Sequence, residues 1–239
     1  FVQVFGAFLQ HRHGGFERSL HRYKFGRMRT NQSGEGAVVM ATYMVPVYIF
    51  QLDHVKARRR LADAGFADRA EVQLTDYRDL RGRFDKIVSI EMFEAVGQAY
   101  WPTYFESVSA LLKDGGRAAL QAITIEEDAF DDYVREPDFI QRYIFPGGML
   151  PSMPRLERPV ADAGLKLVEA NGFGLHYART LAEWRDRFQA AWPNLATDKF
   201  DARFKRMWEL YLSYCEGGFR AGMIDVKQLL FMHNSPHAK

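Results

Sequence analysis

The sequence predicts an α/β fold of Rossmann-like type with a mainly parallel sheet, and three observations carry that expectation. From Asp53 onward, short apolar runs alternate with segments of helical period, the β-α-β order of a parallel sheet. Several runs are apolar almost throughout, as strands covered on both faces are. Three of them end in polar residues, and an open α/β sheet binds its ligands just beyond the carboxyl ends of its strands. The middle run, Phe84 to Ile90, leads into Glu91-Met92-Phe93-Glu94. Glu91 and Glu94 therefore stand where such a sheet would put a site.

Taken in order, residues 1 to about 50 read as an atypical, degenerate N-terminal segment with scattered His and Arg, and Arg27 to Gly36 reads as loop. Ala37 to Phe50 is the longest apolar stretch, interrupted by Pro46. It falls short of the roughly 20 residues of a membrane-spanning helix and suits a buried strand or core segment. A basic helix through Arg60 and Leu61 should end near Gly65, followed by strands Glu71 to Thr75 and Phe84 to Ile90. Trp101, Tyr104, Phe105, Val108, Leu111 and Leu112 recur at helical spacing and close at Gly115-Gly116. The third strand, Arg117 to Ile125, carries the lone amide Gln121.

Beyond it the order loosens. Glu126 to Asp132 is acidic, and Tyr143 to Ser152 is a Pro/Gly-rich turn or lid. A helix from Arg155 to Ala163, a strand from Leu165 to Ala170, a helix from Thr180, a long helix from Lys199 to Ala221 and a strand from Val226 to Met232 complete the reading. Residues 51 to 239 thus form one domain, with an insertion near 126 to 160.

Bulk properties narrow the function. A net charge of +2 with interspersed signs gives no basic field for nucleic acid. The single cysteine, Cys215, allows no internal disulfide framework and fits a reducing, cytoplasmic compartment. No signal-peptide pattern opens the chain, and its first residue, Phe1, points to a true start upstream.

The candidate residues each have a plain reading beside a chemical one. Glu94 suits the positive start of a helix as well as a site. Gln121, an amide among apolar neighbours, must find hydrogen-bond partners in the fold or in a ligand. Asp76-Tyr77 at a strand end could form a turn or hold an adenine, and Tyr177 has no distinctive spacing. The pairs His11/His13 and His233/His237 lack the further ligands of a metal site, so no metal is expected. The stripe Phe204, Met207, Trp208, Tyr211, Cys215 and Phe219 fits one helix face, as core or as an acyl-chain groove. Gly34-Glu35-Gly36 is a fragment of a nucleotide-type turn without the strand and helix that such a turn needs.

From about Lys56 to Phe231 the sequence resembles the cyclopropane-fatty-acyl-phospholipid synthases and mycolic acid cyclopropane synthases. The resemblance rests on Asp76-Tyr77-Arg78-Asp79, Val88 to Glu94, Tyr100 to Phe105, Phe139 to Gly148, Tyr177 to Leu181 and Phe204 to Trp208. It implies a class I methyltransferase fold with a seven-stranded sheet whose last two strands form an antiparallel hairpin. It also implies S-adenosylmethionine as cofactor, transfer of one carbon to the double bond of a membrane phospholipid acyl chain, and a bound bicarbonate that removes a proton as the ring closes. By position, Glu94, Gln121, Ile123 and Tyr177 would surround the bicarbonate, with Gln121 where many members carry histidine, and Asp76 and Tyr77 would meet the adenine. The insertion near 126 to 160 would bind lipid, with peripheral contact at the inner membrane face, and a homodimer is left open. The family's upstream Gly-rich turn is represented only by Gly14-Gly15-Phe16, so the first strand and turn are expected to be incomplete. Methylation of an acyl chain without ring closure, methylation of an amine, and a non-catalytic lipid-binding remnant are the rival readings.

Overall fold

A computed structural model of the chain describes residues 24–29, 36–41, 57–67, 70–73, 75–196 and 200–234. Seven strands make one sheet: β1 (Lys24–Arg29), β2 (Gly36–Ala41), β3 (Ala70–Gln73), β4 (Phe84–Ile90), β5 (Leu112–Ile125), β6 (Leu165–Gly172) and β7 (Ile224–His233), in the order β3-β1-β2-β4-β5-β7-β6. β4 is parallel to both β2 and β5, whereas β1 is antiparallel to its neighbours β2 and β3, and β7 to β5 and β6. Five strands, β2 to β6, therefore run the same way. Their carboxyl ends share one rim, and the segments after β3 and β4 emerge there.

A first helix, α1, occupies 57–63 and stops at Gly65, whose φ of 74° is the left-handed conformation of a helix end. Phe66 N donates to Leu61 O and Gly65 N to Ala62 O, closing the turn as the sequence predicts. The remaining helices are α2 (Trp101–Leu111), α3 (Glu127–Arg135), α4 (Met153–Asp162), α5 (Gly174–Leu195) and α6 (Ala202–Arg220).

Side-chain alternation along β5 divides the core. Ala118, Leu120 and Ala122 join Leu229 and Phe231 of β7 under α2 and α4. Ile123 and Val226 belong to the opposite face, with Ala178 and Leu181 of α5 and Phe204, Trp208, Tyr211 and Phe219 of α6. The aromatic stripe of the late helix is thus mainly core. Trp208 packs 5.0 Å from Tyr211 between ring centroids, and Phe204 lies 5.9 Å from Trp208 in a stacked pair.

Four expectations need correction. Arg27 to Gly36 is not all loop, since β1 runs through Arg29 and β2 begins at Gly36. β1 lies between β2 and β3 and pairs with both, so its backbone groups are satisfied without a clean side-chain alternation. Only the first part of the apolar Ala37 to Phe50 stretch is described, as strand β2, and it supplies the parallel neighbour of β4. Second, β6 and β7 pair antiparallel but form no hairpin, because α5 and α6 intervene.

Third, the acidic stretch forms α3. It buries only Phe130, with the Arg155 guanidinium carbon 5.0 Å from that ring's centroid. Arg155 Nε donates to Glu127 at 2.7 Å and its Nη2 to Asp131 at 3.0 Å. Those ties are long-range in sequence, so helical period could not show them. Fourth, α5 begins at Gly174 rather than Thr180, because Asp225 Oδ1 of β7 accepts from Gly174 N at 2.7 Å. A carboxylate at that place also favours the positive helix end.

Candidate functional site

The rim after β4 carries a network of side chains contributed by that turn, β5, β7 and α5. Glu91 follows the last residue of β4 and holds its backbone at φ 49°, the one non-glycine positive φ among the described residues. Its N donates to Gln121 O at 2.9 Å, which ties the turn to β5. One carboxylate oxygen, Oε1, accepts from Gln121 Nε2 at 3.2 Å and from the Tyr177 hydroxyl. Gln121 Oε1 in turn accepts from Gln228 Nε2 at 3.0 Å. Gln121 and Gln228 are direct register partners across β5 and β7. The lone amide therefore meets both its needs inside a polar chain that runs from Gln228 to Glu91.

Glu94 lies one turn further on. Its Oε1 accepts from Ile123 N at 2.7 Å, and its main-chain oxygen accepts from Met149 N at 2.7 Å. Oε2 is sealed from water and has no partner among the described residues. Burial pushes the Glu94 carboxyl up to about 7; the Ile123 hydrogen bond works against this and the Glu91 charge adds to it. A carboxyl poised near neutrality can accept or release a proton, and its orphan oxygen marks where a ligand group would complete the arrangement.

Tyr177 stands in the first turn of α5, positioned by the Asp225 cap. Gly172 and Gly174 make that cap fit, since a Cβ at either would come within 2.2 Å and 2.7 Å of the Asp225 carboxylate oxygens. The Tyr177 ring lies 5.4 Å from Phe219 and 6.4 Å from Phe173. Desolvation first, and then the Glu91 charge, raise its hydroxyl well above the usual range. It is a fixed donor.

A second wall comes from the Pro/Gly-rich segment. Asp138 and Gln141 exchange hydrogen bonds at 3.0 and 2.9 Å in a reciprocal cap. Ile140–Ile144 forms a π-helical turn, a type frequent at functional sites. Gln141 Nε2 then donates to Gly148 O at 3.1 Å, and Met149 reaches the Glu94 backbone as described. The segment read as a turn or lid is anchored directly behind the carboxylate.

Every residue singled out in sequence for the bicarbonate comes to this rim, but the donors are differently engaged. Ile123 N serves Glu94, and Gln121 and Tyr177 serve Glu91. A bicarbonate does not fit among them as they stand. It would have to break bonds to two carboxylates and place a further anion beside them, which like charge opposes.

The adenine-side pair also reaches the rim, at the end of β3. Asp76 accepts from Arg78 N at 3.0 Å and from its guanidinium at 2.8 and 2.7 Å. The Tyr77 ring is 3% exposed and packs 5.8 Å from Tyr104. The ring therefore belongs to the core and does not lie open for a base to stack on. Burial pushes its hydroxyl up to about 12.

Three residues of the network had no assigned role in the sequence reading. Glu91 was placed at the rim without a task, although an acid immediately past an apolar strand has to turn out of the sheet. Gln228 is a second amide among apolar residues and pairs with the first only through register. Asp225 acts across a distance of 51 residues. Of the histidines, His233 Nε2 lies 3.2 Å from Leu112 O, and the others singled out fall outside the described residues, as do Gly14-Gly15-Phe16 and Gly34-Glu35. No group of three metal-ligating side chains occurs among the described residues. Nor is any described helix long and apolar enough to cross a membrane.

Known proteins are similar to this chain in sequence and in fold. A tuberculostearic acid methyltransferase of Mycobacterium tuberculosis is 45% identical over 181 residues, covering 75% of this chain and 42% of that protein. The cyclopropane-fatty-acyl-phospholipid synthase of Escherichia coli K12 is 41% identical over 160 residues, covering 67% of the chain and 40% of the relative. The chain thus spans about two fifths of the length of these two relatives. Among solved structures, a mycolic acid cyclopropane synthase complexed with SAH and CTAB superposes with a TM-score of 0.60 at 28% identity, over 66% of this chain and 59% of that one. A sarcosine dimethylglycine methyltransferase from Galdieria sulphuraria, at 18% identity and a TM-score of 0.64, shares the fold. The sequence profile of the mycolic acid cyclopropane synthetases matches residues 39–229, and the chain belongs to that family.

Proposed function

We propose that this chain carries the catalytic rim of an S-adenosylmethionine-dependent methyltransferase that adds one carbon to the double bond of an unsaturated phospholipid acyl chain, yielding a cyclopropane. The observation that carries the reading is the convergence of Glu91, Glu94, Gln121 and Tyr177 on the carboxyl edge of β4 and β5 in a member of this family. The rim offers carboxylates and aromatic rings, a set suited to a cation, and S-adenosylmethionine is a sulfonium. When bound, it supplies an electrophilic methyl group. On this reading the adenine would lie against Asp76 and the backbone at Tyr77, on the same edge.

The chain's own residues have separable tasks. Tyr177, Phe173 and Phe219 present aromatic surface that tolerates positive charge developing on the acyl chain. Glu94, held by Ile123 and backed by Met149, keeps a carboxyl that changes charge near neutrality. The segment 138–150 closes the site against water, which strengthens every electrostatic interaction inside it. The acyl chain would enter along this segment from a membrane surface, with the protein peripheral to the inner face.

A second reading follows from the tuberculostearic acid methyltransferase named above: the acyl chain is methylated without ring closure. One experiment addresses both. Calorimetry with S-adenosylhomocysteine tests the cofactor site; incubation with unsaturated phospholipid vesicles and mass spectrometry of the released acyl chains tests the product. A gain of one CH2 whose fragmentation shows a ring supports cyclopropanation, and a branched pattern supports the second reading. Absence of S-adenosylhomocysteine binding overturns both and leaves a non-catalytic remnant.

A further inference from the structure

The donors that the family resemblance assigns to a captured bicarbonate are already bound to protein carboxylates. Gln121 Nε2 and the Tyr177 hydroxyl converge on a single oxygen of Glu91, the geometry expected of an anion held in that cradle. We propose that Glu91 is the built-in base of this site, its carboxylate standing where a carbonate-type anion would otherwise be recruited. The proposal rests on the methyltransferase reading above.

Three observations support it. With Oε1 committed to the two donors, Oε2 has no partner among the described residues and remains available for a proton. The polar chain Gln228 to Gln121 to Glu91 fixes the carboxylate from behind, as a general base must be fixed to stay within reach of a proton. Finally, Glu91 holds φ 49°, the left-handed conformation that a Cβ disfavours. Strain of that kind persists where surroundings over-determine it, and clusters at active sites.

The chemistry balances on one proton. Once the methyl that the cofactor would supply, its C–S pair left on sulfur, has bonded to one alkene carbon through the π pair, the other alkene carbon is cationic. Glu91 takes a proton from the added carbon, and the C–H electron pair left behind forms the third ring bond and cancels the positive charge. Glu91 becomes neutral and returns the proton to water when product leaves. No free bicarbonate enters the balance.

The test uses Glu91→Gly and Glu91→Gln in the full chain. Glycine relieves the strained φ and vacates the carboxylate's place, whereas glutamine fills it without charge. Carbon-13 NMR of labelled bicarbonate with the apo protein should show no binding to the unsubstituted chain and line broadening with Glu91→Gly. In carbonate-depleted buffer the unsubstituted chain should turn over without added bicarbonate. Glu91→Gly should lose about 10²–10⁴-fold and recover on saturation with bicarbonate, and Glu91→Gln should lose as much without recovery. Bicarbonate binding by the unsubstituted chain, a bicarbonate requirement for its turnover, or no binding by Glu91→Gly would each overturn the proposal. Calorimetry with S-adenosylhomocysteine on the same preparations reports separately on the methyltransferase reading, and the apo NMR arm decides on Glu91 without needing turnover.

Discussion

Glu94 on the sheet rim and Glu216 in α6 are both withdrawn from water, yet they are handled in opposite ways. Glu216, 8% exposed, accepts from Arg220 Nε at 2.7 Å and from Arg185 Nη1. Burial pushes its carboxyl up, but the hydrogen bonds and charges of Arg220 and Arg185 outweigh that and hold it below the usual carboxylate range. Among the described residues, Glu94 has one amide donor, no cation, and an oxygen with no partner. A buried charge that serves packing is paired; one left half-satisfied and shifted toward neutrality is a candidate for chemistry. The difference separates a fastener from a functional group, though both are glutamates in the same chain.

The largest effect expected from breaking this comparison is catalytic. Glu94→Gln keeps the shape and can still accept from Ile123 N, but it cannot change charge. Turnover should fall by about 10²–10³-fold, because the charge that settles the cation beside the Glu91 base is lost, while cofactor affinity changes little. The same variant has a signature in stability. The folded-state value of Glu94 lies above the unfolded one, so the native state binds the proton more tightly between pH 4.5 and about 7. Stability from this group is fully present below the unfolded value and is lost as pH rises through the folded one, on the order of 3 kcal/mol in all. Urea midpoints measured across that window should fall with pH in the unsubstituted chain, less the contribution of other groups, and Glu94→Gln should remove that component. An identical pH slope in both proteins would return Glu94 to the role of an ordinary helix-start acid.

A smaller effect belongs to the device that aims Tyr177. Alanine at Gly174 would bring its Cβ within 2.7 Å of Asp225 Oδ1 and 3.1 Å of Phe219 Cδ1. The cap and the Phe219 ring must both give way, at a cost of about 1–3 kcal/mol. The melting temperature should drop, and turnover should drop further than stability alone explains, because the hydroxyl that meets Glu91 is carried on the same turn. Loss of stability with unchanged turnover per folded molecule would show that the cap supports the fold alone.

How far the sequence revealed all this follows from where each signal resides. β4, α2 and β5 announced themselves, since apolar runs and helical spacing are local, and Glu94, Gln121, Ile123 and Tyr177 do come to one rim. What escaped depends on register or on distant partners. Gln121 meets Gln228 only because β5 and β7 align at that rung, and α5 starts six residues earlier than its period suggests because Asp225 caps it from the last strand. β1 escaped because Lys24, Gly26, Arg27 and Arg29 interrupt its two apolar residues, which leaves no apolar run to read. The bicarbonate expectation was set by likeness of position, and likeness of position cannot report that Glu91 already occupies the donors.

At the fastener, Glu216→Gln should cost about 1–2 kcal/mol, since hydrogen bonds to charged partners are weakened while the mostly solvated Arg220 turns to water. Its pH signature has the opposite sign to that of Glu94. The folded-state value lies below the unfolded one, so the stabilisation is present above the unfolded value and is lost as pH falls through the folded one. Acid titration of the unfolding midpoint should therefore be shallower in Glu216→Gln below about pH 4.5. Turnover at neutral pH should not move. A loss of activity comparable to that of Glu94→Gln would erase the distinction drawn between the two glutamates.

The smallest expected effect is at Cys215, between the two regions on α6. Burial first, and then the Asp138 charge, push its thiol up to about 12, so almost none is thiolate at neutral pH, and the thiolate is the reactive form. Alkylation by iodoacetamide at pH 7 to 8 should proceed far more slowly than for a small-molecule thiol, and Cys215→Ala should leave turnover within about twofold, since a half-buried small side chain removed from the packing margin perturbs locally. Rapid alkylation accompanied by loss of activity would place this thiol in contact with the reacting chain, extending the site from the Glu91 rim along α6 and making the aromatic stripe part of the acyl groove as well as of the core.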